Sequence, residues 1–169
     1  VTALNNYLTC PWQYFYRNLI RLPAVPAKHQ LYGLAIHGAL QDVFAQGKSR
    51  GLTKESLLAS FQRRLQAQSL TASDFTDSLA KGEEALSGWY DEYDGKFNLN
   101  VLTEFQIKGV LLTPDIKLKG NLDKVEFVGT GAEINVVDYK TGQPKSRNQI
   151  LGETKDDDGN YFRQLVFYK

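Results

Sequence analysis

The spacing of apolar residues changes character near residue 95, and this switch restricts the chain to folds in which helices come first and strands follow. Before the switch, Leu31, Leu34, Leu40, Val43 and Phe44 recur at helical intervals up to Gly47, which predicts a helix from Leu31 through Gln46. Residues 2 to 9 and 12 to 20 carry an aromatic-rich helical pattern broken by Pro11, a residue tolerated in a first helical turn and disruptive deeper in. Two short helical pieces are therefore expected, with a Pro-containing loop from Leu22 to Lys28. Thr53 opens T-K-E-S with Glu55 in the first turn, and Ser73 opens a stretch toward Tyr93 whose apolar members are Phe75, Leu79, Leu86, Trp89 and Tyr90. After the switch, Val101 to Leu112 alternates in part and Thr113-Pro114-Asp115 is a turn. Ile116 to Val128 and Glu133 to Tyr139 are rich in Ile, Val and Leu, so three strands in a meander are predicted. A loop through Gly142, Pro144 and residues 155 to 160 then leads to a helix from Tyr161.

At 169 residues the chain fits one domain, with a mainly helical part over 1–95 and a sheet-bearing part over 96–169. A hydrophobic fraction of 42% and a charged fraction of 23% are those of an ordinary globular protein, and no stretch approaches the ~20 apolar residues of a membrane span. The chain starts at Val1, contains no Met and lacks a signal-peptide pattern, so it reads as a fragment of a longer protein. Cys10 is the only cysteine, which excludes an intrachain disulfide and a multi-cysteine zinc site and suits a reducing cytoplasm. A net charge of +1 decides nothing about nucleic acid, because a phosphate backbone responds to local patches.

The strongest local signal is Ile134-Asn135-Val136-Val137-Asp138-Tyr139-Lys140-Thr141-Gly142. Side chains two apart on a strand share a face, so Asp138 and Lys140 are expected to project together with Ile134 and Val136. The D-x-K spacing alone equally describes a surface salt bridge at a strand end. The preceding strand adds Asp123, on the face of Val125 and Phe127, where a buried carboxylate needs a counter-ion. A divalent cation shared with Asp138 on the neighbouring strand would supply one; escape to solvent past a bulge at Gly120 is the alternative. His37 lies among small neighbours in Gly33-Leu34-Ala35-Ile36-His37-Gly38-Ala39-Leu40, which would let a backbone or ligand approach, although a lone helical histidine is often a satisfied core or surface residue. Gln164 and Tyr168 lie four apart on one helical face, a spacing that amphipathic packing also explains. Glu104 groups by alternation with Gln106 and Lys108 on a polar face, where a solvated strand residue is at least as good a reading, and is a secondary candidate. The run Asp156 to Asp158 lacks the spacing and final Glu of an EF-hand loop and reads as a solvated acidic loop.

Taken in order, these motifs resemble the RecB-like branch of the PD-(D/E)XK nucleases, which includes the nuclease modules of bacterial helicase-nuclease recombination enzymes. The match runs from Leu4 to Tyr16, with Tyr7-Leu8-Thr9-Cys10-Pro11 inside it, through G-x-x-x-H-x-x-L at Gly33 to Leu40 and G-x-L-D-K at Gly120 to Lys124. It closes with V-D-Y-K-T-G at Val137 to Gly142 and Q-L-x-x-Y at Gln164 to Tyr168. The resemblance implies an α/β fold with a restriction-endonuclease-like αβββαβ core, a mixed central sheet flanked by helices, and an N-terminal helical extension. It implies a metal held by His37, Asp123, Asp138 and the backbone carbonyl of Tyr139, with Lys140 orienting or activating the attacking water. Gln164 and Tyr168 would sit near the site and the scissile strand, and relatives often carry an acid where Glu104 stands. Two carboxylates and an imidazole suit Mg²⁺ or Mn²⁺, hard cations that keep several waters.

The implied activity is a metal-dependent deoxyribonuclease, an exonuclease on single-stranded DNA that serves DNA repair or recombination, with DNA and a helicase domain of the same polypeptide or complex as its partners. Two departures stand against the family pattern. Some relatives bind an iron-sulfur cluster through a cysteine placed like Cys10 and three more after the Gln-Tyr helix, and no such cysteines follow here, so a cluster belongs only to a longer chain. The family core also expects another strand after that helix, so either an open sheet edge or an incomplete terminus is expected. The competing reading is a nuclease-derived module that binds DNA or protein without cutting it; retention of His37, Asp123, Asp138 and Lys140 argues for chemistry. A nuclease acting on RNA, or in a CRISPR-like adaptation system, is a third reading.

Overall fold

The computed structural model describes residues 2–50, 52–130, 133–155 and 157–169, without the side chains of residues 48–50, 112 and 118. In chain order the elements are α1 (Thr2–Thr9), α2 (Pro11–Tyr14) continuing as a π-helical segment Phe15–Ile20, α3 (Lys28–Arg50), α4 (Lys54–Gln66), α5 (Ala72–Tyr93), β1 (Val101–Thr113), β2 (Ile116–Val128), β3 (Glu133–Val137), α6 (Arg147–Leu151) and α7 (Asn160–Tyr168). The chain divides into two compact units, Pro26–Thr141 and Val1–Val25 with Gly142–Lys169. Among the described residues no helix is long and apolar enough to cross a membrane.

In the unit Pro26–Thr141 the core is helical. Tyr32, Ala35, Ile36, Ala39, Leu40, Val43 and Phe44 of α3 are buried at helical spacing and meet Leu57, Phe61 and Leu65 of α4 and Leu86 of α5. Alanine at 35 and 39 lets the neighbouring helix come close, since neither residue leaves any exposed surface. Leu34, expected in the same apolar pattern, is 59% exposed and belongs to a different stripe of α3. Helix α4 starts where T-K-E-S predicts: Thr53 Oγ1 accepts from Ser56 N and Ser56 Oγ accepts from Thr53 N, a capping box. Helix α5 is capped two residues earlier than the expected start at Ser73, because Thr71 Oγ1 accepts from Asp74 N at 3.1 Å.

The strands form one antiparallel sheet in the order β1-β2-β3. The short Pro114-Asp115 turn between β1 and β2 allows only an antiparallel pair, because a parallel return needs a crossover of a dozen or more residues. A parallel strand that would make the sheet mixed is not among the described residues. The register runs unbroken from Val101–Glu126 to Lys108–Lys119, and the shift comes at Gly109, whose φ of 74° only glycine adopts readily. Strand β3 ends at Val137 rather than at Tyr139, and this early end shapes the site.

In the other unit, α1 and the segment after it are tied by Asn6, which donates to Asn18 Oδ1 and accepts from Gln13 Nε2. Helix α7 is joined to α1 by Arg163 Nε, which donates to Asn5 Oδ1 at 2.8 Å. Helix α6 is a short element that apolar periodicity does not reveal; its Ser146 and Gln149 form a capping box, and Gly152 at φ 75° ends it.

Candidate active site

The site begins where the β2–β3 ladder stops. The last pair next to the site is Lys124–Val137, and one further step would set Asp138 directly across from Asp123. Like charges at facing positions destabilise a strand pair, so the ladder has a physical reason to end there. Instead, Tyr139 N donates to Asp123 Oδ2 at 2.8 Å, and the carboxylate takes the hydrogen bond that a backbone carbonyl would have accepted. Asp138 turns to Lys140, whose Nζ lies 2.5 Å from its Oδ2. The two residues thus come together as expected, but through an ion pair beyond the strand rather than through strand alternation.

On the other side of β2, Glu104 stands between the pairs Thr103–Lys124 and Phe105–Leu122, which places it across from Asp123. Its φ of 51° is unusual for a residue with a side chain, and such backbone strain concentrates at functional positions. Glu104, Asp123 and Asp138 therefore occupy one row across three adjacent chain segments. Alternation correctly groups Glu104 with Gln106 on a polar face; the structure adds that this face is also that of Asp123. Helix α3 supplies the opposite wall: Gln30, Gly33, Leu34 and His37 line a cleft of about 600 Å³ together with Pro26, Glu104 and Asp123. The exposed Leu34 belongs to this wall.

His37 Nδ1 lies 3.3 Å from Asp123 Oδ2, and its ring meets that of Tyr139 edge-on at 5.9 Å between centroids. The hydrogen bond to Asp123 raises the His37 pKa, against burial, with further support from the charges of Asp123, Asp138 and Glu104. Burial opposes ionisation of Asp123, yet the His37 contact, the Tyr139 amide and the His37 and Lys140 charges outweigh it and hold its pKa below the ordinary aspartate value.

Beneath the row lies a residue whose role the sequence reading did not assign. Lys124 is 5% exposed and pairs with Glu126 Oε1 at 2.7 Å. Its ammonium sits 4.1 Å from the Phe44 ring centroid and 5.7 Å from that of Tyr139. The signal was present in the period-2 pattern, which sends Lys124 to the face opposite Asp123, toward the apolar core. The Tyr139 hydroxyl is buried beside this pair with no hydrogen-bond partner among the described residues, and burial pushes its pKa up.

Gln164 and Tyr168 stand one turn apart on α7 and hydrogen-bond to each other, within the unit that also holds Cys10. Cys10 is a free thiol, half-buried, at the extended residue that precedes α2. Asp156 lies outside the described residues, while Asp157 accepts from Thr154 Oγ1 of its own loop and from Lys145 on the other side of α6.

Among the described residues no three His, Cys, Asp or Glu side chains converge closely enough to hold an ion as they stand. The donor set nevertheless suits a hard divalent cation: three carboxylates in a row face one imidazole, with Lys140 paired to Asp138. The 3.3 Å between His37 and Asp123 also resembles the separation of about 3 Å between adjacent ligands around an octahedral ion with bonds near 2.1 Å. No curated protein and no solved structure matches the chain. The model of one family does match, over residues 1–169. Sequence and fold agree on this point, and the chain belongs to the PD-(D/E)XK nuclease superfamily.

Proposed function

We propose that the chain is an active, metal-dependent nuclease of the RecB-like branch, hydrolysing phosphodiester bonds of single-stranded DNA as an exonuclease within a helicase-nuclease of DNA repair or recombination. The observation that supports this reading is the acid row Glu104, Asp123 and Asp138 with His37 and Lys140 beside it. A module that only binds DNA or protein has no use for like charges set across a strand pair.

His37, Asp123, Asp138 and the Tyr139 carbonyl would hold Mg²⁺ or Mn²⁺. When bound, the ion supplies Lewis-acid polarisation of the phosphate and a lowered pKa for its water. The Tyr139 amide fixes one oxygen of Asp123, which orients the carboxylate without consuming its second oxygen. Lys140 cannot act as a ligand while protonated. Its ammonium, anchored on Asp138, is available to orient the attacking water and to offset charge on the phosphate. Gln164 and Tyr168 are assigned to the neighbourhood of the scissile strand on the family pattern alone.

The test is cleavage of labelled single-stranded DNA in Mg²⁺ or Mn²⁺ by the intact protein. Lys140→Ala is expected to slow cleavage by roughly 10²-fold or more while strand affinity changes little, the scale for loss of a positioned catalytic group. A variant that cuts as fast as the wild type removes Lys140 from catalysis, and a wild type that does not cut replaces the nuclease reading with the binding-module one.

A further inference from the structure

The acid row does not end at Glu104 and Asp123. Facing residues of an antiparallel pair lie on one side of the sheet, as do residues two apart along each strand. With the register unbroken, the row continues outward as Gln106 with Asn121 and then Lys108 with Lys119, and Lys117 follows on β2. A contact between Asn121 Nδ2 and Glu104 Oε2 places these side chains on the same side. Gln106, Asn121, Lys108, Lys119 and Lys117 are all exposed. The register shift falls at Gly109, just beyond the lysine pair, so the ladder is regular from the Phe105–Leu122 pair beside the acids out to the lysines.

Lysines directly across a strand pair repel each other and weaken the hairpin. Among the described residues no carboxylate forms an ion pair with Lys108, Lys117 or Lys119. The hairpin thus carries three lysines toward its end against the single acid Asp115 of the turn, a net positive end joined through neutral amides to a negative row that needs a cation. A polyanion satisfies the first, and a divalent cation satisfies the second.

We propose that this face of the β1–β2 hairpin is the track for the phosphodiester backbone of single-stranded DNA, with Lys108, Lys117 and Lys119 neutralising phosphates and Gln106 and Asn121 hydrogen-bonding the stretch between. The proposal rests on the nuclease reading for the direction of the track, toward the acids. Four residues of antiparallel strand span about 14 Å, which corresponds to roughly four nucleotides at the ~3.4 Å rise per strand of B-form DNA and fewer in an extended strand. Lys108 and Lys119 therefore act on phosphates up to about four nucleotides from the scissile one, and Lys117, two residues farther along β2, on one up to about six away.

The experiment compares wild type, Lys108→Ala/Lys119→Ala and Lys119→Glu on a single strand of about 20 nucleotides and on a dinucleotide, which cannot span the track. Strand binding is measured across salt concentrations in EDTA, where nothing is cut. Loss of two phosphate contacts is expected to reduce the slope of log affinity against log salt by about 1.4, at ~0.7 per contact for single strands. With metal present, KM for the long strand rises by roughly 10-fold at unchanged kcat, while dinucleotide turnover stays the same. Lys119→Glu sets opposite charges across the pair, so its melting temperature holds or rises as its strand affinity falls. An unchanged salt slope overturns the track, and so does an equal loss on the dinucleotide. Wild-type cleavage decides the nuclease reading separately, because the binding measurement needs no turnover.

Discussion

At the scale of single residues, the half-buried acid Asp42 shows how a charge away from the site is accommodated and gives a clear pH signature. Its carboxylate accepts from Ser60 Oγ at 2.6 Å, Arg63 Nη2 at 2.9 Å, Arg64 Nε at 3.0 Å and Arg64 Nη2 at 2.5 Å. The Arg64 hydrogen bonds, with those of Ser60 and Arg63 and against burial, lower its pKa from the ordinary 3.8 to about 2. A depressed folded-state pKa stabilises the fold above the unfolded value, and that contribution is lost as pH falls toward the folded one. Thermal stability should therefore decline between about pH 4 and pH 2, and Asp42→Asn should flatten this part of the profile while lowering stability at neutral pH, where the arginines lose their partner. Melting curves at a series of pH values check it; an unchanged acid limb in the variant would assign the loss to other carboxylates. Lys124 illustrates the same principle with the sign reversed: a buried ammonium is tolerable because Glu126 neutralises it and two aromatic faces receive it.

At the scale of elements, two glycines on α5 separate packing from propensity. A Cβ at Gly82 would stand 2.1 Å from Phe61 Cζ, and Phe61 is fully buried, whereas a Cβ at Gly88 meets nothing within 4 Å. Gly82→Ala should destabilise by about 1–3 kcal/mol through overpacking, and Gly88→Ala should stabilise by about 0.5–1 kcal/mol through helix propensity. Denaturant titration of the two variants gives midpoints that move in opposite directions; a shared direction would mean that α4 and α5 do not pack as described. Helices α3, α4 and α5 were legible in the sequence because each buries one stripe against the others. Their limits were less so: Gly47 reads as a stop, yet α3 continues past it, and the glycine serves a close approach, with Leu99 Cδ2 only 3.1 Å from where a Cβ would be. The end of β3 was misplaced for a related reason. Apolar content continues toward Tyr139, but whether a ladder continues depends on what faces it, and Asp123 facing Asp138 is a property of register that one strand's sequence does not contain.

At the scale of the whole molecule, His37, Asp123, Asp138 and Lys140 are candidates legible in the motifs, whereas the alignment of Glu104 with them depends on the length of the β1–β2 turn. Alternation assigns each side chain to one of two faces without saying which face carries chemistry, so the polar face of Glu104 read equally well as solvent. Three acids aligned across the sheet are also a stability problem for a chain without a cation, and this links the site to the global unfolding equilibrium. An ion that binds only the folded state stabilises it by RT ln(1 + [ion]/Kd), about 2.7 kcal/mol at a hundredfold excess over Kd. For a chain of this size each kcal/mol is worth about 2–4 °C, so Mn²⁺ at that excess should raise Tm by roughly 5–10 °C over an EDTA control. Asp123 is the centre of the row, bonded to the Tyr139 amide and facing both other acids, and Asp123→Asn should abolish the increment. Lys140→Ala should keep it, since an ammonium is not a ligand. Thermal scans with and without Mn²⁺ on the three proteins decide the matter: an equal rise in Asp123→Asn would place the ion elsewhere, and no rise in the wild type would leave the acid row without the metal on which the proposed chemistry depends.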